Sequence, residues 1–121
     1  MSKDDAGHAS AALEHLAVLR SHAGAMDADA SLRFDAICMR LAAAIEDASR
    51  ISDGARARAF EGRWPAMWST RNRIAHGYAF VNRDIVDATV ERDLDAFEAG
   101  LRALVESVVS GPRPAPADPD E

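Results

Sequence analysis

Between residues 32 and 51 the chain reads LRFDAICMRLAAAIEDASRI. Its apolar positions, Phe34, Ile37, Leu41, Ala44, Ile45, Ala48 and Ile51, recur at steps of three and four. That spacing lines one face of an α-helix and does not match the alternation of a strand. A core-facing helix over Leu32 to Ile51 is therefore expected. The rest of the chain is of the same kind: alanine, leucine, arginine and glutamate abound while β-branched and aromatic residues are few, which favours helix over strand. The spacing predicts an all-α protein, an antiparallel four- to five-helix bundle.

Upstream, Leu13, Leu16 and Leu19 with Ala12 and Ala23 form one apolar stripe, a first helix near Ala9 to Ala23. Gly24 and the polar stretch Asp27 to Ser31 interrupt it, and an Asp or Ser there can cap the next helix by accepting orphan amide hydrogens. Downstream, Ser52-Asp53-Gly54 is expected to end the second helix. Ala55 to Gly62 forms a short turn carrying Arg56 and Arg58. Pro65 is expected at the first position of a third helix, where its missing N–H costs nothing. That helix carries Met67, Trp68, Arg71, Asn72 and Ala75, and Gly77 is placed to stop it in a left-handed cap. A turn through Phe80-Val81-Asn82 leads to Asp84-Ile85-Val86. Val90, Leu94, Phe97, Leu101, Leu104, Val105 and Val108 then define a long final helix with a bend near Thr89.

The 121 residues suffice for one domain with a real core, expected over residues 1–110. Residues 111–121 carry alternating prolines and no apolar periodicity, the pattern of a disordered tail. The one cysteine, Cys38, sits in an apolar periodic stretch and reads as a buried small hydrophobe. The polar start and the lack of any long apolar run point to a soluble cytoplasmic protein. A formal net charge of -6 argues against indiscriminate nucleic-acid binding. The charge is uneven, however: Arg50 to Arg83 holds seven arginines against Asp53 and Glu61, a local balance of +5.

That positive segment contains the densest polar chemistry of the chain, Arg71-Asn72-Arg73-Ile74-Ala75-His76-Gly77-Tyr78, of the form R-x4-H-x-Y. A guanidinium grips phosphate oxygens bidentately, and an imidazole moves protons near neutral pH. At a helix carboxyl end the macrodipole favours the protonated imidazole, which suits His76 to acid and base work. In RNA cleavage such a base takes the 2′-hydroxyl proton, the oxygen attacks the adjacent phosphate, and a cation such as Arg71 stabilises the developing charge; no metal is needed. Asn72 and His76 are four apart and share a helix face, so the amide can orient the imidazole or touch the same ligand. Arg71 and His76 are five apart, about 140° around an ideal helix. Either the helix distorts, or the same segment of a second subunit completes the site across a two-fold axis. The same residues also suit a helix-end hydrogen-bond cluster serving structure alone.

The segment Trp64 to Phe97, with Trp68, Arg71-Asn72, His76-Gly77-Tyr78, Ile85-Val86 and Asp93-Leu94, resembles the HepT-like branch of the HEPN family. The similarity spans about Leu32 to Val108. Helical bundles of that family bearing R-x4-6-H are metal-independent ribonucleases, many of them toxins of toxin–antitoxin pairs of the type VII-like kind. The resemblance implies that Arg71 and His76 are catalytic, with Asn72 and Arg73 as supporting polar residues and no cofactor. It implies a homodimer whose two motifs meet in a cleft, an RNA substrate such as tRNA or mRNA, and an MNT-type nucleotidyltransferase antitoxin as partner. It further implies that Tyr78 is the residue to which that antitoxin transfers AMP.

Other groups carry less. His8, His15 and His22 recur every seven residues, but adjacent members lie about 10 Å apart along a helix, too far for one metal ion, and read as a polar helix face. Trp64, Trp68 and Phe80 suit base stacking or, more commonly, core packing. A rival reading makes the chain a non-catalytic helical companion that binds nucleotide or substrate for a nucleotidyltransferase.

Overall fold

In the computed structural model, which describes residues 3–25, 27, 29–77 and 83–109, the chain forms six α-helices and, among those residues, no strand. They are α1 (Lys3–Ala23), α2 (Ala30–Ala48), α3 (Asp53–Phe60), α4 (Trp64–His76), α5 (Arg83–Arg92) and α6 (Leu94–Val109). The expected all-α bundle is the observed one. The expected tail lies outside the described residues, as does the segment from Tyr78 to Asn82.

The core is built where the periodicity places it. Ala9, Ala12, Leu16 and Leu19 of α1 face Cys38, Leu41, Ala44, Ile45 and Ala48 of α2, all fully buried, and these two helices share the most extensive contact in the molecule. Alanines on both sides let the two backbones approach. Ala23, expected on the stripe, is exposed at the end of α1. Leu94, Phe97, Leu101 and Leu104 of α6 close the core from another side; α4 packs on α2 and buries Met67 and Ile74. Arg20 of α1 reaches α6 through Asp95 at 2.7 Å and Glu98 at 3.0 Å, and these two carboxylates raise its pKa above the usual arginine value.

Asp29 caps α2, its carboxylate accepting from the N–H of Ser31 and of Leu32. The helix ends at Ala48, earlier than expected, and Asp53-Gly54 open α3 instead of closing α2. The reason is local: Arg50 and Ile51 donate to carbonyls three residues back, the tight bonding that terminates a helix. Ser52 then stands at the amino end of α3. Its hydroxyl makes no cap; it donates to Asp5 at 2.7 Å, and its backbone N–H donates to the same carboxylate at 2.8 Å. Asp5 is 3% exposed while Ser52 is exposed, so the pair ties the buried first turn of α1 to the start of α3 at the surface.

The long final helix is interrupted at Asp93, four residues beyond the expected bend. Thr89 lies within α5, its hydroxyl donating to the Ile85 carbonyl at 3.0 Å, and the Asp93 N–H bonds the Thr89 carbonyl at 2.8 Å. Counted as one interrupted rod, α5 and α6 leave five helices, as expected.

Candidate catalytic site on α4

Helix α4 carries the motif. Trp64 opens it and Pro65 is the second residue, one on from the expected first position but still in the first turn, where a fixed φ and a missing N–H are tolerated. Met67, Thr70 and Ile74, at steps of three and four, are buried and hold the helix against the core. The Thr70 hydroxyl is satisfied by the Ala66 carbonyl at 3.0 Å. Trp68, Arg71 and Asn72 are thereby half-buried, while Arg73, Ala75 and His76 face solvent. Gly77 ends α4, but not in the expected left-handed conformation: φ is −128° and ψ is 29°. Its N–H donates to the Arg73 carbonyl at 3.0 Å, and a Cβ at this position would sit 3.2 Å from that same oxygen. Absence of a side chain, not access to positive φ, is what this helix end uses.

Arg71 is held on three sides. Its Nε donates to Glu46 Oε2 of α2 at 2.8 Å, and its Nη2 pairs with the same oxygen. Its Nη1 donates to Asn72 Oδ1 at 3.1 Å. The guanidinium carbon lies 4.8 Å from the centroid of the Trp68 ring, a cation–π distance. The Asn72 amide is thus committed to Arg71 and does not orient His76, as its spacing had suggested.

His76 is the last residue of α4, exposed and without a hydrogen bond or ion pair among the described residues. No polar contact joins it to Arg71 there. The angular mismatch expected between positions 71 and 76 therefore persists in the fold: one side chain turns to α2, the other stands free at the helix end. Arg73 is exposed and likewise unpaired among the described residues, with only its carbonyl engaged. Tyr78 lies outside the described residues. A shallow pocket lined by Phe60, Arg63, Met67, Asp93, Ala96 and Phe97 includes none of the motif residues.

The tryptophans belong to a continuous ladder. Phe97 packs on Phe60 with centroids 5.2 Å apart, Phe60 stacks on Trp64 at 5.8 Å, and Trp64 stacks on Trp68 at 5.9 Å. Arg56 lies over Trp64 at 5.0 Å and Arg71 over Trp68. Ring faces engaged by one another and by guanidinium groups serve to place Arg71 and are not open platforms for bases.

The arginine-rich segment divides in two. Arg50 pairs with Asp47, Arg56 with Asp53 and Arg71 with Glu46, while Arg83 donates to the Ala30 carbonyl and lies over Phe34. Arg58, Arg63 and Arg73 are exposed and make no ion pair among the described residues. Sequence reasoning left Glu46 out of the site. The available signal was that a half-buried arginine on α4 needs an acidic partner, and the core-facing second helix offers acids at its end in Glu46 and Asp47. Asp47 is used elsewhere, by Arg50 and by His15 of α1, whose other ring nitrogen faces Arg40 at 3.0 Å.

A family model described as "Ribonuclease HepT-like" matches residues 12–104. The match reaches back into α1, further than the segment in which the resemblance was legible. No curated protein and no solved structure matches.

Proposed function

The chain belongs to the HepT-like ribonuclease family, and on that premise we propose that it is a metal-independent endoribonuclease, the toxin of a bacterial type VII-like toxin–antitoxin pair. The observation that carries this reading is the pairing, on one helix, of an arginine fixed in place by three neighbours with a solvent-facing histidine at the helix carboxyl end that has no polar partner among the described residues. His76 takes the proton of a ribose 2′-hydroxyl, whose oxygen attacks the adjacent phosphorus. The P–O5′ bond breaks, and the imidazolium returns a proton to the departing 5′-oxygen, leaving a 2′,3′-cyclic phosphate and a 5′-hydroxyl. Arg71 binds the phosphoryl oxygens and stabilises the charge gathered there.

The divergence of Arg71 and His76 within one chain favours a homodimer in which each site draws on both copies. Helix α2 offers a surface for it: Leu32 and Met39, seven residues apart and so on one helix face, are 68% and 70% exposed. The partner antitoxin of this reading is an MNT-type nucleotidyltransferase that transfers AMP to Tyr78, the one tyrosine of the chain, beside the catalytic histidine in sequence. An added nucleotide there occupies the RNA path and switches the enzyme off.

The test is cleavage of RNA by the purified protein in EDTA, with 2′,3′-cyclic phosphate ends on the product. His76→Ala abolishes cutting while leaving the melting curve in place; cleavage that survives this substitution sinks the assignment. Intact mass after co-expression with an MNT-type nucleotidyltransferase, followed by peptide mapping, tests AMP transfer to Tyr78.

A further inference from the structure

We propose that Glu46 of α2 is the positioning residue for Arg71, fixing its guanidinium so that one edge stays open for a phosphate. The inference rests on the ribonuclease reading for what binds there, and on the geometry for the rest. A guanidinium has five N–H donors in a rigid plane. Glu46 takes the Nε–H and one N–H of Nη2 through a single oxygen, and Asn72 takes one N–H of Nη1. Among the described residues two donors remain for a phosphate, one on each terminal nitrogen. The Trp68 ring under the plane removes the remaining freedom to tilt.

The other oxygen of Glu46, Oε1, lies 3.9 Å from Nη2 of Arg50, four residues on and just past the end of α2. The arrangement has a cost for binding and a gain for catalysis. A carboxylate beside the arginine weakens its attraction for a phosphate in every state alike, ground or transition. Fixing the guanidinium favours the one geometry in which charge develops during the reaction. Removing Glu46 therefore lowers kcat and leaves KM unchanged or smaller, whereas a loss of folding lowers the active fraction and leaves the KM of the remainder as it was.

The experiment compares the full-length protein with Glu46→Ala and Glu46→Gln, the latter keeping an acceptor oxygen without the charge. Two readouts are taken: kcat and KM on an RNA oligonucleotide in EDTA, and the ¹⁵N-resolved Nε–H signal of Arg71, assigned with Arg71→Lys. Glu46→Ala is expected to lower kcat by about 100-fold, with KM not raised, and to lose the Arg71 Nε–H signal to solvent exchange. Glu46→Gln retains the signal and recovers most of kcat. A Glu46→Ala protein with full kcat, or with a protected Nε–H signal, overturns the proposal. If the parent protein itself does not cut RNA, the ribonuclease reading fails, while the Nε–H signal still decides whether Glu46 holds the arginine.

Discussion

Gly100 of α6 lies against the carbonyl of Ala59 so closely that a Cβ at position 100 would meet that oxygen at 2.7 Å, and the Phe60 ring at 2.9 Å. The contact sets how near α6 comes to α3, and through Phe60 it seats the aromatic ladder that ends under Arg71. Backbone oxygen cannot swing aside as a side chain can. Gly100→Ala is therefore expected to destabilise the fold by about 1–3 kcal/mol despite the better helix propensity of alanine, read as a lower urea midpoint. A variant as stable as the parent would show that the two helices separate at little cost.

Asp5, itself buried, supplies a second long-range tie, accepting two hydrogen bonds from the exposed Ser52. Asp5→Ala leaves the Ser52 N–H and hydroxyl without their acceptor, at a cost of about 1–3 kcal/mol. Ser52→Ala removes one donor of the pair and is expected to cost less. Thermal unfolding of both variants against the parent checks the ranking, and the reverse order would mean that Asp5 is held by its other contacts instead.

The residues that were legible in the sequence are those whose behaviour is periodic. The buried face of α2 was read from its steps of three and four, and the motif from the concentration of Arg71, Asn72 and His76. What escaped was set by geometry between segments far apart in the chain. Glu46 and Arg71 are separated by 25 residues, and nothing in the spacing of either helix announces their ion pair. Asn72 shares a helix face with His76, yet the adjacent guanidinium, itself fixed by α2 and Trp68, claims its amide oxygen first. Gly54 reads as a breaker and lies inside α3, because the chain had already turned at Ser49 to Ile51. Gly77 does end its helix, but without the positive φ that glycine usually supplies there.

Cys38 gives a pH-dependent expectation. Burial, with the charges of Asp35 and Asp87 adding to it, pushes its thiol up from the ordinary value of 9.0 to about 11. A folded pKa above the unfolded one means that the unfolded chain ionises first as pH rises. The contribution of the neutral thiol is thus fully present below pH 9 and is lost as the pH climbs toward 11. Stability of the parent is expected to fall across that window, and Cys38→Ala to show a shallower fall from a lower starting point. Thiol labelling at pH 8 provides the companion measurement: slow in the folded protein and fast in denaturant, since the reactive thiolate is scarce and enclosed until the fold opens.

The sharpest consequence of the divergence between Arg71 and His76 concerns two chains. If each site takes its arginine from one copy and its histidine from the other, Arg71→Ala and His76→Ala proteins are inactive alone but complementary together. In the mixed dimer one site receives both defects and the other receives neither. Random exchange of subunits between equal amounts of the two variants then restores about a quarter of parental activity per protein, because half the dimers are mixed and each has one intact site. A site formed within a single chain predicts no recovery at any mixing ratio. The assay needs only the two variants, unfolded and refolded together and then separately as a control, with cleavage of one RNA oligonucleotide in EDTA as the readout. Activity in the co-refolded sample alone places the arginine and histidine of each site on different subunits; its absence, in a sample shown by tagged pull-down to contain mixed dimers, assigns both to one.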